Sequence, residues 1–286
     1  MEISAKAVMA LREQTGAGMM DCKRALQEAE GDIEKAKDLL RQRGMAKGLK
    51  REGKATGEGT VVVAAAADGS QVVMLELNCE TDFVGKSDDF RGLAQSLADS
   101  ALERDISDPE QVGGEDLIND AVTRLGEKIR VGRLLNWRAE APGVITSYVH
   151  TATGRVGVLV ELGLGSAPDA AGLAAAQAIG RELGMQVTAL RPLCLNREQV
   201  PAEVVERERE VLRGAADMAN KPPQIQDKII DGRINKFFAE NCLLEQAYAR
   251  DGSKTVTEYL NEAAKAAGLA VTPRRYVRLE VGREDD

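Results

Sequence analysis

Apolar residues recur along this chain with two different periods, and the points where the period changes outline its organisation. Over residues 1–43 the spacing is helical: Val8 and Leu11, then Met19, Cys22, Ala25, Leu26 and Ala29, then Ile33, Ala36, Leu39 and Leu40. This predicts three short helices. Ser4 caps the first, Thr15-Gly16-Ala17-Gly18 breaks it, and Gly31-Asp32 separates the second from the third. From Gly44 to Gly59 the pattern lapses and Lys47, Lys50, Arg51 and Lys54 accumulate, predicting a basic linker that lets the helical module move.

The period then shortens to that of strands, and it does so twice. Gly59 opens an apolar strand, Gly69 marks a turn, and Val72-Val73-Met74-Leu75-Glu76-Leu77 returns. Gly143 opens Val144-Ile145-Thr146-Ser147-Tyr148-Val149, Gly154 marks a turn, and Val156 to Leu162 returns. Glu76 lies seven positions after Gly69, and Glu161 lies seven after Gly154. Each hairpin leads to a Gly-Leu-Ala helix, at Gly92 and at Gly172. The spacing predicts two similar α+β halves. From the Glu to that Leu the first copy spans 17 positions and the second 12. The surplus falls on Thr81-Asp82-Phe83-Val84, at a strand-to-helix junction where a rigid scaffold presents side chains outward.

Elsewhere, Glu115 to Ile129 has helical spacing through Leu117, Ile118, Ala121, Val122, Leu125 and Ile129. Arg197 to Met218 and a stretch from Ile225 to Phe238 predict two charge-dense helices joined at Asn220-Lys221-Pro222-Pro223. Their narrow apolar stripe suits a projecting antiparallel arm or an oligomer contact. A helix over 256–267 and a strand over 275–281 close the chain.

Composition narrows the function. A formal charge of −8 argues against general nucleic-acid binding, which needs a basic face. Four dispersed cysteines and one histidine fit no common zinc pattern, and reduced thiols suit the cytoplasm. No apolar run reaches membrane-spanning length, and the first residues lack a signal-peptide core. Gly48 to Ala55 has P-loop spacing but lacks the magnesium-binding hydroxyl after its Lys, so a linker is the better reading. Cys79 as a nucleophile has only His150 to serve as its base. Only four Phe occur in the chain, and Phe83 stands beside an acid at the junction. A loop Phe ordinarily anchors its segment in the core, and Asp82 is ordinarily a turn or cap residue. On residues alone the chain reads as a multi-domain interaction protein without a visible catalytic site.

The residues in these stretches resemble the bacterial elongation factor Ts family. Leu11-Arg12-Glu13-Gln14-Thr15-Gly16-Ala17-Gly18-Met19-Met20-Asp21-Cys22-Lys23-Arg24-Ala25-Leu26 is similar to its first signature, and Asn78-Cys79-Glu80-Thr81-Asp82-Phe83-Val84 to its second. Gly126-Glu127, His150 and Gly154 to Val160 also fit. The resemblance implies an α+β chain with an N-terminal three-helix module like a ubiquitin-associated domain. It implies a core of two related α+β subdomains with antiparallel sheets and a helical hairpin inserted into the second. The expected boundaries are 1–53 for module and linker, 54–140 for the first subdomain, 141–198 with 234–286 for the second, and 199–233 for the hairpin. The implied activity is guanine-nucleotide exchange on elongation factor Tu, with no cofactor, no chemical catalysis, and no direct contact with nucleic acid or membrane. Thr81, Asp82, Phe83 and Val84 are expected to intrude beside the partner's nucleotide and magnesium site. Lys23 matches a position at which the module grips the GTPase domain, Leu125 a further contact, and the turn at His150 a hold on another domain. A homodimer through the 199–241 hairpin is a further expectation. The chain differs at Gln186, where many members have His, and at Ala247-Tyr248-Ala249, where Pro-Phe-Val is common. It also stops soon after Val281, without the extra helix some members carry.

Overall fold

A computed structural model describes residues 3–50, 53–215 and 222–283. Helices α1 (Ala5–Thr15), α2 (Met19–Glu28) and α3 (Ile33–Lys50) come first. The Ser4 hydroxyl accepts from the Ala7 N–H, and Gly16 at φ 65° ends α1. Leu11, Cys22, Leu26, Ala36 and Leu40 form the buried centre of this small unit. The expected linker is corrected here: α3 runs on as one helix to Lys50, and Arg51-Glu52 lie outside the described residues. Two glycines in a helix interior cost about 1 kcal/mol each. Met45, Ala46, Lys47 and Leu49 are good helix formers, and α3 packs on the next domain, which offsets that cost. The P-loop-like stretch therefore begins inside a helix rather than after a strand.

The first half comes next as β1 (Glu58–Ala65), β2 (Gln71–Cys79), a single turn α4 (Asp82–Gly85), α5 (Asp88–Glu103), α6 (Glu115–Leu125) and β3 (Arg130–Arg138). The helix expected over 115–129 stops at Leu125, because Gly126 at φ 74° returns its N–H to Val122 and turns the chain. Beyond that turn the chain enters β3, a strand that the apolar pattern did not announce. It completes an antiparallel sheet ordered β1-β2-β3.

The second half holds β4 (Gly143–Val149), β5 (Val156–Leu164) and α7 (Ala170–Leu190). Then come α8 (Ala202–Arg213), α9 (Pro223–Asn241), a small hairpin of β6 (Ala247–Tyr248) and β7 (Asp251–Thr255), α10 (Val256–Ala267) and β8 (Val271–Glu280). The sheet order is β4-β5-β8, antiparallel. The helix expected from Arg197 starts only at Ala202, after a short turn at Arg197–Gln199 and Pro201. Helices α8 and α9 pack through Val205, Leu212, Ile230, Ile234 and Phe238, while Val204, Val211 and Ile225 stay exposed.

The two sheets lie face to face, with α5 outside the first and α7 outside the second. Val61, Val72, Met74, Ile145, Leu159 and Leu279 fill the space between them. The repeat read from glycine spacing is a pseudo-twofold arrangement, visible bond by bond. Val61 N–H donates to the Gly154 carbonyl at 2.7 Å, and Ile145 N–H to the Gly69 carbonyl at 2.8 Å. Ala139 N–H donates to Ser70 and Val281 N–H to Arg155, both at 2.8 Å. The ladder shifts register beside Glu76 in β2 and beside Glu161 in β5. Both carboxylates are buried. Glu76 accepts from Arg133 at 2.7 Å and from the Gly282 N–H at 3.0 Å. Glu161 accepts from Arg275 at 2.6 Å and from the Glu140 N–H at 2.8 Å. Each central-strand glutamate thus receives the backbone just beyond the last strand of the opposite half. A buried charge is tolerated when it is paired and hydrogen-bonded in this way.

Candidate functional site

The surplus segment of the first half forms the turn of α4, and its pose is set by residues on either side. Thr81 is the N-cap: its hydroxyl oxygen faces the Val84 N–H. The same hydroxyl donates to Glu127 Oε1 at 2.5 Å. Glu127 Oε2 accepts from the backbone N–H groups of Glu80 and Thr81 at 3.1 and 3.0 Å. Glu80 answers by accepting from the Lys128 N–H at 2.7 Å. Residues 80–81 and 127–128 are therefore clasped reciprocally. Beneath the turn, Gly85 lies against Gly59, and a Cβ on Gly85 would sit 3.2 Å from the Gly59 carbonyl oxygen.

Above this clasp Phe83 is 83% exposed. The ordinary role of a loop Phe, an anchor in the core, is excluded. Asp82 is not the cap but the first helical residue, and Lys86 Nζ reaches its carboxylate at 2.5 Å. That hydrogen bond, with a smaller coulombic contribution from the same lysine, holds the Asp82 carboxyl below the usual carboxylate range. Val84 points the other way and packs against the core of the first half. The segment therefore presents one phenyl ring and one carboxylate from a pinned turn.

Leu125, at the end of α6, packs against the same core as Val84, two residues before Glu127. His150 begins the turn from β4 to β5. Its Nδ1 meets the Tyr148 hydroxyl at 3.2 Å, and its carbonyl accepts from the Gly154 N–H. Because Gly154 binds Val61 and Gly85 covers Gly59, the start of β1 lies between this turn and the exposed loop. Lys23 stands apart on the exposed face of α2, opposite the buried Cys22, Ala25 and Leu26. The module that carries it is joined to the core by an ion pair between Arg41 and Asp116. The functional residues missed by sequence reasoning are Glu127 as the holder of the loop and Lys86 as the partner of Asp82. The acid directly after a helix-ending glycine was the available signal for the first.

Cys79 is not a nucleophile in this setting. It is fully buried, its Sγ donates to the Thr81 carbonyl at 3.1 Å, and burial pushes its thiol from 9.0 to about 12. Among the described residues no group of three or more His, Cys, Asp or Glu side chains could hold a metal ion. No described helix is long and apolar enough to cross a membrane.

The sequence model of the family described as elongation factor TS matches residues 80–283. This chain belongs to the elongation factor Ts family. Full-length similarity agrees. The elongation factor Ts of Desulfovibrio desulfuricans is 43% identical over 287 residues, covering 99% of both chains. That of Clostridium botulinum is 42% identical over 289 residues, 98% of this chain and 93% of the relative. That of Chlorobium phaeobacteroides is 40% identical over 293 residues, 98% and 99% of the two chains. The family is one of translation elongation factors. Gln186 and the segment Ala247–Ala249, far apart in the chain, form one site. The buried Gln186 amide donates to Gln246 Oε1 at 3.1 Å and to the Ala247 carbonyl at 3.0 Å, and accepts from the Ala249 N–H at 2.8 Å.

Proposed function

We propose that this chain is a guanine-nucleotide exchange factor for elongation factor Tu, and that the Asp82-Phe83 turn does the displacing. The observation that carries the reading is an exposed phenyl ring on a turn held from below by Glu127. A large apolar side chain left in water on a pinned support is shaped for insertion into another protein.

A GTPase retains its nucleotide through a phosphate-binding loop and magnesium. An exchange factor performs no bond chemistry; it binds the nucleotide-free partner more tightly than the nucleotide-bound one. The two ligands then weaken each other by the same factor. Phe83 wedges into the partner beside its nucleotide site, and the Asp82 carboxylate disturbs the hydrogen-bond shell around magnesium. Speeding release about a thousandfold takes roughly 4 kcal/mol. Burying one Phe contributes about 1.5–3 kcal/mol. The grip must therefore be shared, with Lys23, Leu125 and the turn at His150 holding the partner while the loop acts.

The test is stopped-flow release of a fluorescent GDP from elongation factor Tu, using the parent chain, Asp82→Ala and Phe83→Ala. Fast release with the parent and slow release with the variants is the expected result. Tight binding by the parent without acceleration would reduce the chain to a scaffold for the same GTPase.

A further inference from the structure

We propose that Cys194 and Cys242 are a dithiol–disulfide couple that a hydroperoxide oxidises, stapling the base of the α8–α9 hairpin. Their sulfurs lie 3.7 Å apart, and the two residues are paired directly as a parallel bridge. The pairing extends on both sides. Leu193 N–H donates to Asn241, Leu243 N–H to Cys194, and Leu244 N–H to Leu195, at 2.8, 2.9 and 3.0 Å. The segment entering the hairpin and the segment leaving it thus already run side by side, with the two thiols facing one another. A disulfide needs sulfurs about 2.05 Å apart on Cβ atoms roughly 3.8 Å apart. Side-chain rotation can close the remaining gap without parting the backbones.

The other two thiols lack this arrangement. Cys22 Sγ faces the Ala17 carbonyl and Cys79 Sγ the Thr81 carbonyl, whereas Cys194 Sγ, which donates to the Asn196 carbonyl at 3.1 Å, also has the Cys242 sulfur beside it. Access is asymmetric as well. Cys242 is fully buried, whereas Cys194 is part-exposed and lines a cavity of about 470 Å³ walled by Arg191, Arg275 and Arg278. The cavity admits a small oxidant to Cys194 only. Burial raises both thiols, Cys242 to about 12, but the hydrogen bond from Cys242 favours the thiolate of Cys194. Cys194 is therefore the attacking sulfur and Cys242 the resolving one.

The steps balance. The Cys194 thiolate attacks one oxygen of hydrogen peroxide, the O–O bond breaks, and the departing hydroxide takes a proton to leave as water. Cys194 is now a sulfenic acid. The Cys242 sulfur attacks the Cys194 sulfur, the S–O bond breaks, and the hydroxyl leaves as water with the Cys242 proton. Two thiols have lost two electrons, and the peroxide has gained them. The new ring encloses the whole hairpin, whose base Arg197 also braces through Glu245 and the Phe238 ring.

The experiment treats the reduced full-length chain with hydrogen peroxide, blocks remaining thiols in denaturant, and maps every cysteine by mass spectrometry. Free thiols are expected to fall from four to two, with a Cys194–Cys242 cross-linked peptide that dithiothreitol separates. In Cys242→Ser, a sulfenic acid at Cys194 persists and is trapped by dimedone. Limited proteolysis of the hairpin slows several-fold on oxidation and recovers on reduction. Retention of all four thiols overturns the proposal. So does oxidation confined to Cys22 or Cys79, or disulfide linkage between chains. The map of the parent chain decides the matter even where a serine variant folds poorly.

Discussion

Glu127 Oε1 accepts a 2.5 Å hydrogen bond from the Thr81 hydroxyl, so a residue just past the end of α6 governs the pose of the Phe83 ring. Glu127 also takes two backbone N–H groups of the same turn. Glu127→Ala removes all three of these hydrogen bonds and leaves the Phe83 side chain itself untouched. At about 1 kcal/mol per net hydrogen bond, exchange on elongation factor Tu should fall about tenfold or more. Far-ultraviolet circular dichroism should be unchanged. A variant that exchanges at the parent rate would show that the clasp does not position the turn.

Phe83→Ala should leave the free protein as stable as before, within about 0.5 kcal/mol, because the ring touches mostly water. Urea unfolding checks this. A loss of several kcal/mol would mean that Phe83 supports the fold, and a slow-exchange phenotype could then not be assigned to the wedge.

Glu161 is buried among Arg274, Arg275 and the Glu140 N–H. Burial alone would raise its pKa, but the Glu140 N–H and Arg275 outweigh it and the carboxyl is lowered. A carboxyl lowered on folding stabilises the native state above its usual 4.5, and that stabilisation is lost as pH falls. Glu161→Gln should cost about 1–3 kcal/mol at pH 7 and flatten the decline of stability below pH 4.5, as read by urea midpoints across pH.

Two glycine substitutions should move stability in opposite directions. A Cβ on Gly180, in α7, would lie 1.9 Å from Thr146 Oγ1 in β4. Gly180→Ala should destabilise by about 1–3 kcal/mol, since overpacking exceeds the gain in helix propensity of about 1 kcal/mol. Gly232, inside α9, has open space around it, so Gly232→Ala should stabilise by up to that propensity gain. Thermal unfolding of both variants gives the signs.

The Cys79 thiol, raised from 9.0 to about 12, should resist N-ethylmaleimide at pH 8 in the native protein and react at once in denaturant. The sign for stability comes from the same shift. A thiol kept neutral in the fold stabilises it below pH 9 and loses that contribution as pH rises. Removing the group by Cys79→Ala should lessen the alkaline decline.

Much of this architecture was legible because glycines recur at fixed offsets from buried strands: Gly59 and Gly69 correspond to Gly143 and Gly154, and Glu76 to Glu161. Strand β3 was hidden for two reasons. The helical spacing of Leu117 to Leu125 continues by coincidence to Ile129, across the glycine that ends the helix. The strand itself carries Arg133 and Asn136, whose polarity makes sense only beside Glu76 and Gln71. The tail of α3 was masked by its Gly and Lys content, which favours a linker until the helix packs on α6. At the loop, sequence singled out Asp82 and Phe83 but could not say which way the ring faces. Nor could it connect Thr81 to Glu127, a partner 46 positions away.

The reciprocal bonds between the halves also bear on how the molecule comes apart. The strand ends of each half are finished by a glutamate of the other, and the apolar layer between the sheets belongs equally to both. Neither half can lose its sheet without exposing the inner face of its twin and stranding a buried carboxylate. The junction near residue 140 therefore separates two copies of one motif without separating two folding units. Core amides on both sheets should exchange with solvent through a single shared opening.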